Sequence, residues 1–135
     1  MSSLPSIATV VGSGTMGPGI AATLARAGAT VRLYDISAEA ITRAEAAYDM
    51  VRGILEAVDS PSAPGGSVTF GTDLDAALAD SELIIEAVPE KLELKRSVLA
   101  DLEARIGDDV IIATNTSGIP ISTMAESMTV PARLI

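Results

Sequence analysis

The chain has 135 residues, a formal net charge of −9, 48% hydrophobic residues and only 2% aromatic ones, so it is one domain's worth of polypeptide with a core of Ala, Val, Ile and Leu. The acidic balance excludes a nucleic-acid surface, which needs a basic footprint. Cysteine and histidine are both absent, which excludes disulfides and thiolate metal sites and removes the commonest general base and metal ligand.

The β-branched run at residues 7–11 leads directly into Gly12-Ser13-Gly14-Thr15-Met16-Gly17, a G-x-G-x-x-G spacing, and then into an alanine-rich helical pattern over residues 15–27 that stops at Gly28. Gly12 allows the tight turn out of the strand and Gly14 lets the backbone approach a pyrophosphate. Gly17 lets the helix pack close to the sheet. The free N–H groups and positive dipole end of that helix face the phosphates, and Pro18 fits a first turn whose N–H has no helical partner. Residues 30–34 read as the next strand, and Asp35 follows it about 20 residues past the glycines, the place of the ribose-binding acid in the dinucleotide fingerprint. A carboxylate there accepts hydrogen bonds from the adenosine ribose and repels a 2′-phosphate, which favours NAD over NADP; Arg32, inside the strand, is a weak contrary signal. The alternative makes Asp35 a helix N-terminal charge near Ser37, worth under about 1 kcal/mol.

A second helix carries Ile41, Ala44, Tyr48, Val51, Leu55 and Val58 as one apolar stripe. Residues 60–67 are a Pro/Gly/Ser loop, the candidate for a flexible excursion. Residues 68–70 form a short edge strand, and Thr72 caps a brief helix with Asp75 in a capping-box position. A buried strand spans residues 83–88 and ends at Pro89. An amphipathic helix follows over residues 91–106, with Leu94, Val98, Leu99, Leu102 and Ile106 inward and Lys91, Glu93, Arg96, Asp101, Glu103 and Arg105 in solvent. The fifth strand, residues 110–114, runs into the polar loop Asn115-Thr116-Ser117-Gly118. Alternating helix and strand patterns imply a doubly wound, mostly parallel α/β sheet of the Rossmann type, strand order 3-2-1-4-5 with a truncated sixth strand. Ligands bind such sheets outside the carboxyl ends of the strands, where the glycine turn, Asp35, the 86–90 segment and the 115–117 loop converge.

The blocks at residues 10–21, Leu33-Tyr34-Asp35, residues 86–95 and Thr114-Asn115-Thr116-Ser117 closely resemble the NAD-binding domain of the 3-hydroxyacyl-CoA dehydrogenases over nearly the whole chain. The resemblance implies NAD-dependent oxidation of an L-3-hydroxyacyl thioester in fatty-acid β-oxidation or a related pathway. It implies that Asp35 holds the adenosine ribose and Val88 lines the cofactor groove. Glu90 and Lys95 contact the nicotinamide-side ribose and neighbouring groups, and Asn115 and Ser117 lie beside the nicotinamide. Ser117 hydrogen-bonds the substrate oxygen. Glu86, inside a buried strand, has a structural hydrogen-bonding role or a cofactor contact as its alternatives.

Two departures bear on substrate and turnover. The family's helical hairpin between its second and third strands, which carries coenzyme-A contacts, shrinks here to one helix and a loop. That keeps a non-thioester 3-hydroxy acid such as L-gulonate or L-carnitine as an alternative substrate. The family's catalytic histidine, the acid that orients it and the helical C-terminal domain for substrate and dimerisation are absent from residues 1–135, so the expectation is a chain that binds NAD and turns over little. A non-catalytic NAD-binding module is the reading of a different class. Self-association through the surface left by the missing domain is expected. No apolar stretch approaches a membrane span and residues 1–6 lack a signal peptide's basic and apolar regions, so the expected location is the cytoplasm.

Overall fold

The computed structural model describes residues 4–135. Five strands, β1 (Ile7–Val11), β2 (Thr30–Tyr34), β3 (Ser67–Gly71), β4 (Leu83–Glu86) and β5 (Ile111–Thr114), form one parallel sheet in the order β3-β2-β1-β4-β5. Helices connect them in turn: α1 (Gly17–Arg26) after β1, α2 (Ala38–Ala57) after β2 and α3 (Leu74–Leu78) after β3. Beyond β4 come α4 (Leu92–Arg105) and, after β5, α5 (Ile121–Ala125). After a 3-10 turn at Pro131–Arg133, Leu134 bridges Ile112 in parallel, and Ile135 exchanges hydrogen bonds with Ile112 and Thr114, so a sixth strand starts beside β5.

Parallel strands covered on both faces need apolar residues on both sides, and β1 alternates accordingly. Val10 packs with Ala21, Ala25, Val31, Leu33, Ile41 and Ala44 beneath α1 and α2, while Val11 joins Ile84, Leu99, Leu102, Ile112 and Met124 beneath α4 and α5. Small alanines bring α1 close to the sheet. The Tyr48 ring meets Phe70 edge-on, with centroids 5.6 Å apart, where α2 covers the edge strand β3.

Several local expectations are corrected by packing. Asp73, not Thr72, caps α3 by accepting the Ala76 N–H at 3.1 Å. β4 ends at Glu86 instead of Val88, because the chain turns there to pass the glycine turn. Only Ile41 and Ala44 of the α2 stripe are buried, and Val58 is exposed, because the helix outruns the narrow sheet it covers. The inner face of α4 is Lys95, Leu99 and Leu102, with Leu94 exposed. Its supposed solvated face also does structural work: the Arg96 guanidinium donates to Thr123 O, and Glu103 accepts the Thr129 and Val130 N–H groups. Loop 60–67 is pinned: the Arg26 guanidinium donates to Ser60 O and the Ala63 N–H to Arg26 O.

Register positions the site. Val11 pairs with Tyr34 on one side and Glu86 on the other, and Glu86 pairs with Thr114. The residues that follow, Gly12, Asp35, Ala87 and Asn115, therefore leave four strands at one level. α1 leaves β1 toward one face and α4 leaves β4 toward the other, so a crevice opens between the carboxyl ends of β1 and β4.

Candidate functional site

A groove of about 860 Å³ runs along this edge, lined at one end by residues 12–16 and Asp35 and at the other by Val88, Glu90, Lys95, Asn115 and Ser117. It is the place where every site residue expected from the sequence meets, apart from Gly17, which lies just behind the turn.

The glycine turn is enforced by crowding. Gly12 has φ +107°, and a Cβ there would sit 2.6 Å from Ala87 O, so the turn lies against the start of the β4 loop. A Cβ on Gly17 would fall on the Gly12 carbonyl oxygen. Gly14 differs, since nothing lies within 4 Å of where its Cβ would be; the space above it is open to a ligand. Helix α1 begins beside that space with no side chain capping its N-terminus, so its first N–H groups remain available to an anion. Thr15 and Met16, both exposed, form the rim, and Met16 adds an apolar edge.

Asp35 lines the groove and also takes the helix N-terminal place that was its alternative reading. Its Oδ1 accepts the Ser37 N–H at 3.0 Å, and its Oδ2 accepts from Ser13 N at 3.0 Å and Ser13 Oγ at 2.7 Å. Partial burial pushes the carboxyl up, but hydrogen bonds from Ser13, Ser37 and Ile36 outweigh it and hold Asp35 below the ordinary carboxylate range. The groove thus keeps a negative charge at this end. Arg32 is spent elsewhere, donating to the Ala79 carbonyl past the end of α3, so it offers nothing to a 2′-phosphate. Ser13, Ile36 and Arg43 also line the groove and were not singled out in the sequence. Ser13, between the first two glycines, faces Asp35 and donates to it through both N and Oγ.

At the other end Glu86 is fully buried and Lys95 is 2% exposed. Glu86 Oε2 accepts from Lys95 Nζ at 2.7 Å and Val88 N at 2.8 Å, and Glu86 Oε1 accepts from Thr114 Oγ1 at 2.7 Å. Of its two alternatives, Glu86 therefore takes the structural one. Above it, the half-exposed Glu90 accepts from Thr116 Oγ1 at 2.6 Å and Ser117 N at 3.3 Å. The Thr116 hydroxyl first, then the Ser117 N–H and the Lys95 ammonium, hold its carboxyl below the usual range despite some desolvation. Asn115 and Ser117 are exposed, and among the described residues their side chains make no intramolecular hydrogen bond. They leave uncommitted polar groups at this end of the groove.

An open phosphate seat, an ionised acid on the adjacent strand and a long apolar-walled groove across a switch point define a dinucleotide-binding domain. Comparison with known proteins sharpens this. The family model for the NAD-binding domain of 3-hydroxyacyl-CoA dehydrogenase matches residues 7–135. The chain belongs to that family, and its cofactor is NAD. It is 40% identical over 128 residues to 5-formyl-3-hydroxy-2-methylpyridine 4-carboxylate 5-dehydrogenase of Mesorhizobium japonicum, covering 93% of this chain and 41% of that protein. It is also 40% identical over 131 residues to 3-hydroxyadipyl-CoA dehydrogenase of Escherichia coli, covering 93% of this chain and 27% of that one. A crystal structure of the pyridine-carboxylate dehydrogenase, described as an NAD⁺-dependent dismutase, superposes with a TM-score of 0.91 at 37% identity over 96% of this chain and 42% of that chain. The chain thus spans less than half the length of these relatives. Among the described residues no helix is long and apolar enough to cross a membrane, and no His/Cys/Asp/Glu cluster is placed to hold a metal.

Proposed function

We propose that this chain is the cofactor-holding part of an NAD-dependent dehydrogenase that oxidises the alcohol of an L-3-hydroxyacyl thioester or a related 3-hydroxy acid. The observation that carries the proposal is the single groove joining Gly14 and Asp35 to Asn115 and Ser117. Asp35 takes the adenosine ribose hydroxyls, residues 12–17 and the start of α1 take the pyrophosphate, and Val88 walls the groove beyond them. Glu90 offers a carboxylate oxygen to the nicotinamide-side ribose. The nicotinamide, once bound, accepts the hydride. The Ser117 hydroxyl, free of protein partners, donates to the substrate oxygen, and the Asn115 amide orients the groups beside it. Removing the alcohol proton requires a base, and these 135 residues contain no histidine; the base comes from beyond them.

The non-thioester substrate is the second reading. It is favoured by the connection from β2 to β3, which is one helix and a pinned loop. The curated relative acting on a pyridine carboxylate, 40% identical to this chain, points the same way.

Calorimetric titration with NADH and NADPH, followed by incubation with NAD and either L-3-hydroxybutyryl-CoA or a free 3-hydroxy acid, tests the proposal. NADH binding, weaker NADPH binding and no reduced cofactor from these residues alone is the expected outcome. Absence of NADH binding overturns the proposal, and turnover by these residues alone overturns the claim that the base lies elsewhere.

A further inference from the structure

The segment leaving β5 alternates. Thr114 and Thr116 turn into the protein, while Asn115 and Ser117 face the groove. The two threonines are committed at both lone pair and proton. Thr114 Oγ1 donates to Glu86 Oε1 at 2.7 Å and accepts from Thr116 N at 3.2 Å. Thr116 Oγ1 donates to Glu90 Oε1 at 2.6 Å and accepts from Ile119 N at 3.3 Å.

Lys95 closes the network from the other side. Its ammonium donates to Glu86 Oε2 at 2.7 Å and Val88 O at 3.0 Å and forms an ion pair with Glu90 Oε1 at 3.4 Å. Two of its N–H groups are thus spent on the protein, and the third faces the Glu90 carboxylate. Glu90 is different: its side chain is 44% exposed, and a carboxylate accepts about four hydrogen bonds, so it has capacity left toward the groove. An unanchored glutamate at that exposure would sample several rotamers. Here the Thr116 hydroxyl and the Ser117 N–H select one.

We infer that Thr116 is a positioning residue for Glu90, and that the buried Thr114–Glu86–Lys95 cluster anchors both, so that the ribose-binding carboxylate and the substrate-facing Ser117 are held as one unit. Lys95 acts on the site through Glu90 and Val88. The inference rests on the proposed NAD site and assigns the parts of it that make no ligand contact.

Thr116→Val keeps the side-chain shape and removes the hydroxyl, and Thr116→Ser restores it. NADH reaches Glu90, whereas ADP ends at its second phosphate and engages only the Asp35 and Gly14 end. The expected result is NADH affinity about tenfold lower in Thr116→Val, the factor for one lost charged hydrogen bond. ADP affinity stays unchanged, and Thr116→Ser recovers NADH binding. A scaffold role alone would lower NADH and ADP affinity together, and that outcome overturns the inference. So does wild-type NADH affinity in Thr116→Val. If the unsubstituted protein binds ADP and NADH and only the variant pattern fails, the NAD site stands and this inference falls. If the unsubstituted protein binds neither, both fall.

Discussion

Replacing Lys95 by methionine removes the ammonium from the buried pair while nearly conserving side-chain volume. Lys95 is 2% exposed, Glu86 is fully buried, and the charges lie 2.7 Å apart. At an effective dielectric of about 20 their direct attraction is about 6 kcal/mol, most of which offsets the cost of bringing both charges out of water. Deleting one partner leaves the other buried with only the Thr114 hydroxyl and the Val88 N–H. Breaking a buried pair in this way costs about 3–5 kcal/mol. For a domain of this size that lowers the melting temperature by about 10–20 °C. With no tryptophan in the chain, far-ultraviolet circular dichroism during thermal and urea unfolding is the suitable assay. The double variant Glu86→Gln/Lys95→Met removes both charges and is expected to be more stable than Lys95→Met alone. A single variant within about 1 kcal/mol of wild type, or a double variant as unstable as the single, would refute the reasoning.

Gly12→Ala and Gly14→Ala should separate fold from binding: the first, strained at φ +107° and driven into Ala87 O, loses stability by about 2 kcal/mol or more. The second has open space around its new methyl; it should melt as wild type does but bind NADH at least about tenfold more weakly, as calorimetry would show. Asp35→Asn should narrow the preference for NADH over NADPH in parallel titrations, because the charge that repels a 2′-phosphate is gone. The same substitution should flatten the acid limb of the stability profile. Asp35 has a folded pKa below its unfolded value, so its contribution is present above the unfolded value, about 3.9, and is lost as pH falls through the folded one. Urea midpoints measured from pH 6 down to pH 2.5 check the slope, and an unchanged limb in Asp35→Asn would count against the hydrogen bonds from Ser13 and Ser37 as its origin. Glu103→Ala should leave NADH binding intact yet speed amide exchange at Thr129 and Val130, whose N–H groups it accepts.

The strands, the glycine turn and Asp35 were legible because each depends on neighbours in sequence. Apolar runs of four or five residues bounded by Gly or Pro make strands, the glycine spacing makes the turn, and one acid at a strand end needs no partner to be recognised. Reading failed where two adjacent residues were both chemically competent, as with Thr72 and Asp73 at the start of α3. It failed again where the sheet's width decided burial, as at the far end of α2.

What the order of residues determined by itself was the parallel α/β fold, the phosphate turn and the acid that suits NAD, all short-range patterns. Only the tertiary structure decided what Lys95 and the two threonines do. On the helix Lys95 reads as a polar residue with no acid one turn before it. It finds its partner across the interface between α4 and β4, and Thr114 reaches the same carboxylate from β5. The physical reason is that burying a charge is tolerable only when strands distant in sequence deliver enough partners to one point, and strand register, not local pattern, sets that point.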